Sequence, residues 1–150
     1  LEARLRIMKD SRIGAYGAAA LILALLARWS GLETLATPGL FWPMIAVGAA
    51  SRLPMVWAMT LMPSARSTGL SAGVGAPPLQ SALAASGIAV AICLLALGWG
   101  GIAVVFWALV GPLPLFWLAY RRLNGQTGDI LGGSQQLAEI AALATVLTLI

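Results

Sequence analysis

The chain has 150 residues, the length of one domain, and 60% of them are hydrophobic whereas only 9% are charged. A soluble domain carries roughly 25% charged residues, so this composition excludes a soluble monomer and indicates an integral membrane protein. The chain has no histidine and one cysteine, Cys93, which excludes an intrachain disulfide and any histidine-based metal or nucleophile site. The net charge of +4 comes from basic residues at the ends of apolar segments, a pattern that indicates membrane topology rather than nucleic-acid binding.

The apolar segments predict an all-α, polytopic membrane bundle that forms a single domain over residues 1–150. About 20 apolar residues are needed to cross a bilayer as a helix. The predicted spans are 13–29, 40–62, 81–97, 102–120 and a final run, 140–150, that is short unless it begins near Ser134. The predicted connections are a loop at 63–80, a tight reversal at "GWGG" (98–101) and a polar loop at 121–139. Pro54, Pro112 and Pro114 are expected to break or kink the spans that contain them.

The distribution of basic residues predicts the orientation of these spans. If the N-terminus is cytoplasmic, only Arg28 faces outward and Arg52 lies within the membrane. Seven basic residues then face the cytoplasm, which is a strong positive-inside bias: Arg4, Arg6, Lys9, Arg12, Arg66, Arg121 and Arg122. The same topology brings "MKDSR" (8–12), Arg66 and "TGDILGG" (127–133) to one membrane face, where they can form one site.

Three of the five acidic residues, Asp10, Asp129 and Glu139, lie near predicted helix ends. One such carboxylate can be a solvated helix cap, but three beside several arginines suggest chemistry. Carboxylates hold Mg²⁺ together with substrate phosphates, and arginine matches phosphate in a bidentate fashion. This set of residues, without histidine or a suitable cysteine, is typical of phosphoryl transfer with a hard metal ion.

Two further features allow both a functional and a structural interpretation. The glycines of "NGQTGDILGG" (124–133) let the backbone approach a bulky anion, but such a stretch can equally be a plain loop. In that case Thr127 and Asp129 serve as helix N-cap residues. Arg52, within a span, either contacts a phosphate at the bottom of a cavity or only braces the bundle through an ion pair or a carbonyl contact.

Three stretches together resemble the cobalamin synthase family, the adenosylcobinamide-GDP ribazoletransferases. They are "RIMKDSRIGAYGAAAL" (6–21), "SRLPMVWAMTLMPSARSTGL" (51–70) and "GQTGDILGGSQQLAE" (125–139). The resemblance implies a multi-span enzyme of the bacterial inner membrane with its active site on the cytoplasmic face. It would join adenosylcobinamide-GDP to α-ribazole or its 5′-phosphate with the help of Mg²⁺ and release GMP. The bilayer would surround it, and association of several copies stays open.

The resemblance also implies site residues, position by position. Asp10, Asp129 and Lys9 are expected to be catalytic, and Asp10, Asp129 and Glu139 to bind the metal. Substrate binding is expected from the residues that match the three motifs: Ser11, Arg12, Arg52, Arg66, Thr127 and Gly128.

One departure from the family pattern concerns the region upstream of "MKDSR". The family carries an aspartate-rich motif there, similar to that of CDP-alcohol phosphotransferases, and this sequence begins after it. We therefore expect the chain to be the C-terminal part of a longer polypeptide, with the alternative that the upstream part was lost or lies on another chain. Two other functions stay open: a CDP-alcohol-type phosphotransferase that makes phospholipid, and a small transporter or membrane scaffold in which Arg52 and the proline-broken span line a path.

Overall fold

The computed structural model describes residues 5, 7, 8, 10, 12–35, 40–66 and 73–149. Its helices form five segments that are long and apolar enough to cross a membrane, as predicted. The first is α1 (Ala15–Thr34), the second is α2 (Phe41–Ala50) with α3 (Leu53–Leu61), and the third is α4 (Leu79–Leu97). The fourth is α5 (Gly100–Val110) with α6 (Leu113–Leu123), and the fifth is α7 (Gly128–Leu149). The all-α membrane fold is therefore confirmed.

Prolines divide two of the five spans, as the sequence predicts. Pro54 lies in the first turn of α3. Pro114 lies in the first turn of α6, which begins at Leu113 directly after Pro112. Proline has no N–H to donate to the preceding turn, and its ring crowds the carbonyl four residues earlier, so a continuous helix cannot pass through it. The second and fourth spans each consist of two helices for this reason.

The fifth span differs from the prediction, because the helix begins at Gly128 rather than near residue 134 or 140. The predicted polar loop at 121–139 therefore ends at Thr127, and the following residues are the first three turns of α7. Thr127 is fully buried, and its Oγ1 accepts a hydrogen bond from the Ile130 N–H at 3.4 Å. This N-cap starts the helix. The negative charge of Asp129, in the first turn, interacts favourably with the positive end of the helix dipole.

Small residues allow the helices at the centre of the bundle to approach closely. The cluster includes Ala46, Ala50, Ala138 and Ala142, all with no exposed surface. The reversal at 98–101 is confirmed: Gly98 has a left-handed φ of 59° after α4, and α5 begins at Gly100. A Cβ atom on Gly101 would lie 2.3 Å from the carbonyl oxygen of Cys93, so α4 and α5 can pack at this distance only with glycine there.

The first span packs on the fifth, and a polar contact joins the two helices. Arg28 Nε donates to Glu139 Oε1 at 2.9 Å, and both side chains are largely buried. Arg28 lies six residues before the end of α1, and Glu139 lies near the middle of α7. The prediction that Arg28 lies on the outer side of the membrane stays a prediction; the contact shows that its charge is paired between the helices, where an unpaired charge is costly.

The contact at Gly101 gives a stability prediction. Gly101→Ala adds a Cβ against the backbone of Cys93, which cannot move aside as a flexible side chain would. We expect it to lower the free energy of unfolding in detergent by about 1–3 kcal/mol. Gly87→Ala in α4 is the matched control, since a Cβ there meets nothing within 4 Å. Equal stability of the two variants would contradict the close contact.

Candidate functional site

A pairing of two connecting segments organises one end of the bundle. Residues 63–66 leave the second span, and residues 124–127 join α6 to α7; we call them the paired loops. The Ala65 N–H donates to the Gln126 carbonyl at 2.8 Å, and the Gln126 N–H donates to the Pro63 carbonyl at 2.9 Å. These two bonds fix the exit of the second span beside the start of the fifth.

The conformation of the second loop depends on two residues. Asn124 adopts a left-handed backbone with φ 56° and ends α6. Gly125 follows, and a Cβ at that position would lie 2.3 Å from the Pro63 carbonyl oxygen. The glycine of "NGQTGD" therefore allows the backbone contact between the paired loops.

The paired loops place Arg66 beside Asp129. The Arg66 Nη2 atom lies 3.6 Å from Asp129 Oδ2, and the Arg66 side chain is largely buried whereas Asp129 is 60% exposed. Arg66 Nη2 also donates to the Leu5 carbonyl at 3.4 Å. The Arg66 guanidinium is held by the Leu5 carbonyl and lies beside the exposed Asp129 carboxylate. It is therefore suited to bind an anionic group.

The N-terminal segment reaches the same end of the bundle. Leu5 and Met8 pack against a small apolar cluster that contains Leu123 and Ile130. The predicted convergence of three separate segments is thus present in the structure, since Leu5 and Met8, Arg66 and the start of α7 lie at one end. Lys9 and Ser11, two of the predicted site residues, lie outside the described residues, and their roles stay predictions.

Asp10 and Arg12 form a bidentate pair on this segment. Arg12 Nη2 lies 2.7 Å from Asp10 Oδ2, and Arg12 Nε lies 3.1 Å from both carboxylate oxygens. The Arg12 side chain, and then its backbone N–H, hold the pKa of the exposed Asp10 carboxyl below its usual value. Asp10 is therefore an anion at neutral pH.

Thr127 and Gly128 have different surroundings. Thr127 is buried and caps α7, so the interpretation as a helix cap describes its contacts. Gly128 is exposed, and a Cβ there would meet nothing within 4 Å. The backbone at the start of α7 is thus open on this side, where free N–H groups favour an anion.

The structure does not bring Arg52 to this site. It lies at the break between α2 and α3, nine residues before the end of the second span at Leu61. Its Nη1 atom donates to the Gly48 carbonyl and lies 3.4 Å from Ser51 Oγ. Both contacts are made with residues of the same span. They agree with the interpretation in which Arg52 braces the bundle through a carbonyl contact. A phosphate contact by Arg52 stays a prediction without support from its position.

Glu139 is also separated from the other carboxylates. It lies ten residues beyond Asp129 on α7, about 15 Å along the helix. It bonds Arg28, and its Oε2 accepts from Gln135 Nε2 at 2.6 Å. Within the described part of the chain, no three residues of the histidine, cysteine, aspartate and glutamate types form a metal-binding group. In this arrangement Asp10, Asp129 and Glu139 do not hold one ion together, because helix geometry separates the last two.

The residues at the paired loops nevertheless fit a hard cation with a phosphate. Asp129 offers exposed carboxylate oxygens, and Asp10 is an anion on the neighbouring segment. Gln126 is buried, and its Oε1 atom has no hydrogen-bond partner; the Nε atom of Arg66 is likewise buried and unpaired. Buried polar atoms normally have partners, so one acceptor and one donor are unused here. Sequence reasoning missed Gln126, although it stands inside the quoted "NGQTGD" motif.

The Arg28–Glu139 contact predicts that Glu139 stabilises the fold rather than binding a metal ion. Arg28→Gln leaves a largely buried carboxylate without its partner, so we expect a lower free energy of unfolding. The double variant Arg28→Gln/Glu139→Gln should recover part of the loss, with a coupling of about 1–2 kcal/mol in a double-mutant cycle. Strictly additive effects would contradict the pairing.

The comparisons with known proteins point to one family. The family model described as cobalamin-5-phosphate synthase matches residues 1–147. A protein of Mesorhizobium japonicum, named adenosylcobinamide-GDP ribazoletransferase, is 49% identical over 93% of this chain and 54% of its own length. Relatives of the same name from Bradyrhizobium diazoefficiens and Syntrophobacter fumaroxidans are 44% and 40% identical over 95% of this chain. The chain spans about half the length of these curated relatives. No solved structure matches it.

Proposed function

Because this chain belongs to the cobalamin-5-phosphate synthase family, we propose that its protein acts as an adenosylcobinamide-GDP ribazoletransferase. It would transfer the adenosylcobinamide-phosphate group of adenosylcobinamide-GDP to α-ribazole or its 5′-phosphate and release GMP. The names of relatives that are 40–49% identical support this activity. The observation in the structure that carries the proposal is the Arg66–Asp129 contact at the open start of α7.

The paired loops supply the groups that a nucleotide diphosphate substrate requires. Arg66 presents a guanidinium held by the Leu5 carbonyl, and the exposed N-terminus of α7 presents backbone N–H groups. Both favour the negative charge of a pyrophosphate. An incoming phosphate would compete with the Asp129 carboxylate for Arg66, whose 3.6 Å separation from it is long for a hydrogen bond.

Two carboxylates are available for the chemistry. We propose that Asp10 and Asp129 bind Mg²⁺, which would neutralise charge on the pyrophosphate oxygens when bound. The acceptor hydroxyl forms the new P–O bond as the bond from phosphorus to the GMP oxygen breaks. Asp129 is exposed at the start of α7 and lies beside Arg66. Its carboxylate would take the proton that the hydroxyl loses.

The proposed location follows from the same arrangement. The five apolar helices make this a multi-pass membrane protein. We propose the bacterial inner membrane, with the paired loops on the cytoplasmic face, because the positive-inside bias puts Arg66, Arg121 and Arg122 on that side. The corrin ring of the substrate would then stay in water while its nucleotide end binds at Arg66 and the start of α7.

The first experiment measures GMP release from adenosylcobinamide-GDP and α-ribazole 5′-phosphate by membranes that contain the full-length protein. We expect release to require Mg²⁺ and to fall by about 100-fold or more in Asp129→Asn. Glu33→Gln is the matched control, since it is an exposed carboxylate in the last turn of α1, at the opposite end of the bundle. No release by the unaltered protein, or equal rates for the two variants, would overturn the proposal.

Arg66→Lys tests the shape of the cation rather than its charge. Lysine keeps the charge but has no planar fork to contact Asp129, the Leu5 carbonyl and a phosphate together. We expect kcat/KM for adenosylcobinamide-GDP to fall by about tenfold or more, with a corresponding rise in KM. Steady-state kinetics at varied substrate concentration measure both values, and unchanged constants would exclude Arg66 from phosphate binding.

A further inference from the structure

The exposed side of α6 near the paired loops carries a second basic site. Arg121 and Arg122 lie in the last turn of α6, and both are exposed. The Arg121 guanidinium carbon lies 4.9 Å from the centre of the Trp117 ring. Together with Leu118, these residues line a groove of about 310 Å³. The guanidinium thus lies over the aromatic ring in a cation–π contact.

Arg121 has no carboxylate to neutralise it in the part of the chain that the structure describes. It takes part in none of the three ion pairs that join Arg12 to Asp10, Arg28 to Glu139 and Arg66 to Asp129. A basic residue in the last helical turn does benefit from the helix dipole. The helix dipole explains why a cation is favourable at this position. It does not explain why Arg121 lies over an aromatic ring in a groove.

The position of the groove identifies the kind of anion it meets. Below the arginines, the outward surface of α6 consists of Trp117, Leu118 and Tyr120, all exposed. Tryptophan and tyrosine side chains prefer the headgroup level of a bilayer. Arg121 and Arg122 follow them directly, at the end of a membrane span, and so lie at the depth of lipid phosphates.

We propose that Trp117, Leu118 and Arg121 bind an anionic phospholipid, with its headgroup phosphate on the Arg121 guanidinium and its first acyl carbons against Trp117 and Leu118. Guanidinium groups bind phosphate with bidentate hydrogen bonds. The groove carries positive charge and the anionic headgroup carries a complementary negative one. This site is separate from the paired loops, since Trp117 and Arg121 lie on the exposed surface of α6, whereas Ala119 and Leu123 on its other side are buried.

Native mass spectrometry of the full-length protein tests the site with two lipids that share the same acyl chains, phosphatidylglycerol and phosphatidylcholine. We expect preferential retention of phosphatidylglycerol, reduced about fivefold by Arg121→Gln. Arg12→Gln is the matched control, because it removes the same charge from an exposed arginine at the same end of the bundle that is already paired with Asp10. It should leave retention unchanged.

Several results would overturn the proposal. They are equal retention of the two lipids, unchanged retention in Arg121→Gln, and an equal loss in Arg12→Gln, which would indicate only general attraction to charge. Displacement of the lipid by soluble glycerol phosphate at equal concentration would show a site for free phosphate instead. Trp117→Leu keeps both charges and serves as a second variant. It should also lower retention of phosphatidylglycerol, because the guanidinium of Arg121 loses the ring that orients it.

Discussion

The two backbone hydrogen bonds between the paired loops are the interaction on which the candidate site depends. They join Pro63 and Ala65, at the end of one span, to Gln126, just before another. Backbone groups at the end of a membrane helix have no hydrogen-bond partner in a following turn. Here the backbone groups of the two loops form hydrogen bonds with each other. Without this pairing, Arg66 and Asp129 would belong to two independent connections, and nothing would keep their charges together at the membrane surface.

Hydropathy predicted most of the fold because the bilayer imposes a simple rule. A segment that crosses it must be a long apolar helix, so the first four spans could be located from the sequence within a few residues at most ends. The fifth could not, since its first three turns contain polar residues such as Ser134 and Gln135. Their polarity is tolerated because their side chains bond within the protein: Ser134 to the Leu131 carbonyl, and Gln135 to Glu139.

The candidate site could be predicted only in part, for a related reason. Topology alone brought the three charged segments to one membrane face, and the structure joins two of them through Arg66 and Asp129. The partners of individual charges could not be deduced. Glu139 pairs with Arg28, which is 111 residues away in the chain, and no local pattern records a contact at that distance. Gln126 was missed because its burial depends on a loop whose shape the sequence only suggests through the adjacent glycine.

The Arg28–Glu139 contact fixes more than the distance between two helices. Most large side chains of α1 face outward, Leu25 and Trp29 among them, and such an apolar surface can rotate against lipid at little cost. The charged contact in low dielectric, together with the packing of Gly31 against Leu143, therefore sets the rotational register of the helix. Each residue inserted or deleted between Ala15 and Arg28 would turn the arginine by about 100° away from its partner or carry it to another depth. The length of this segment is thus constrained although its composition is not. Leucine, isoleucine and alanine can replace one another there, whereas the insertion or deletion of one residue would break the contact between Arg28 and Glu139.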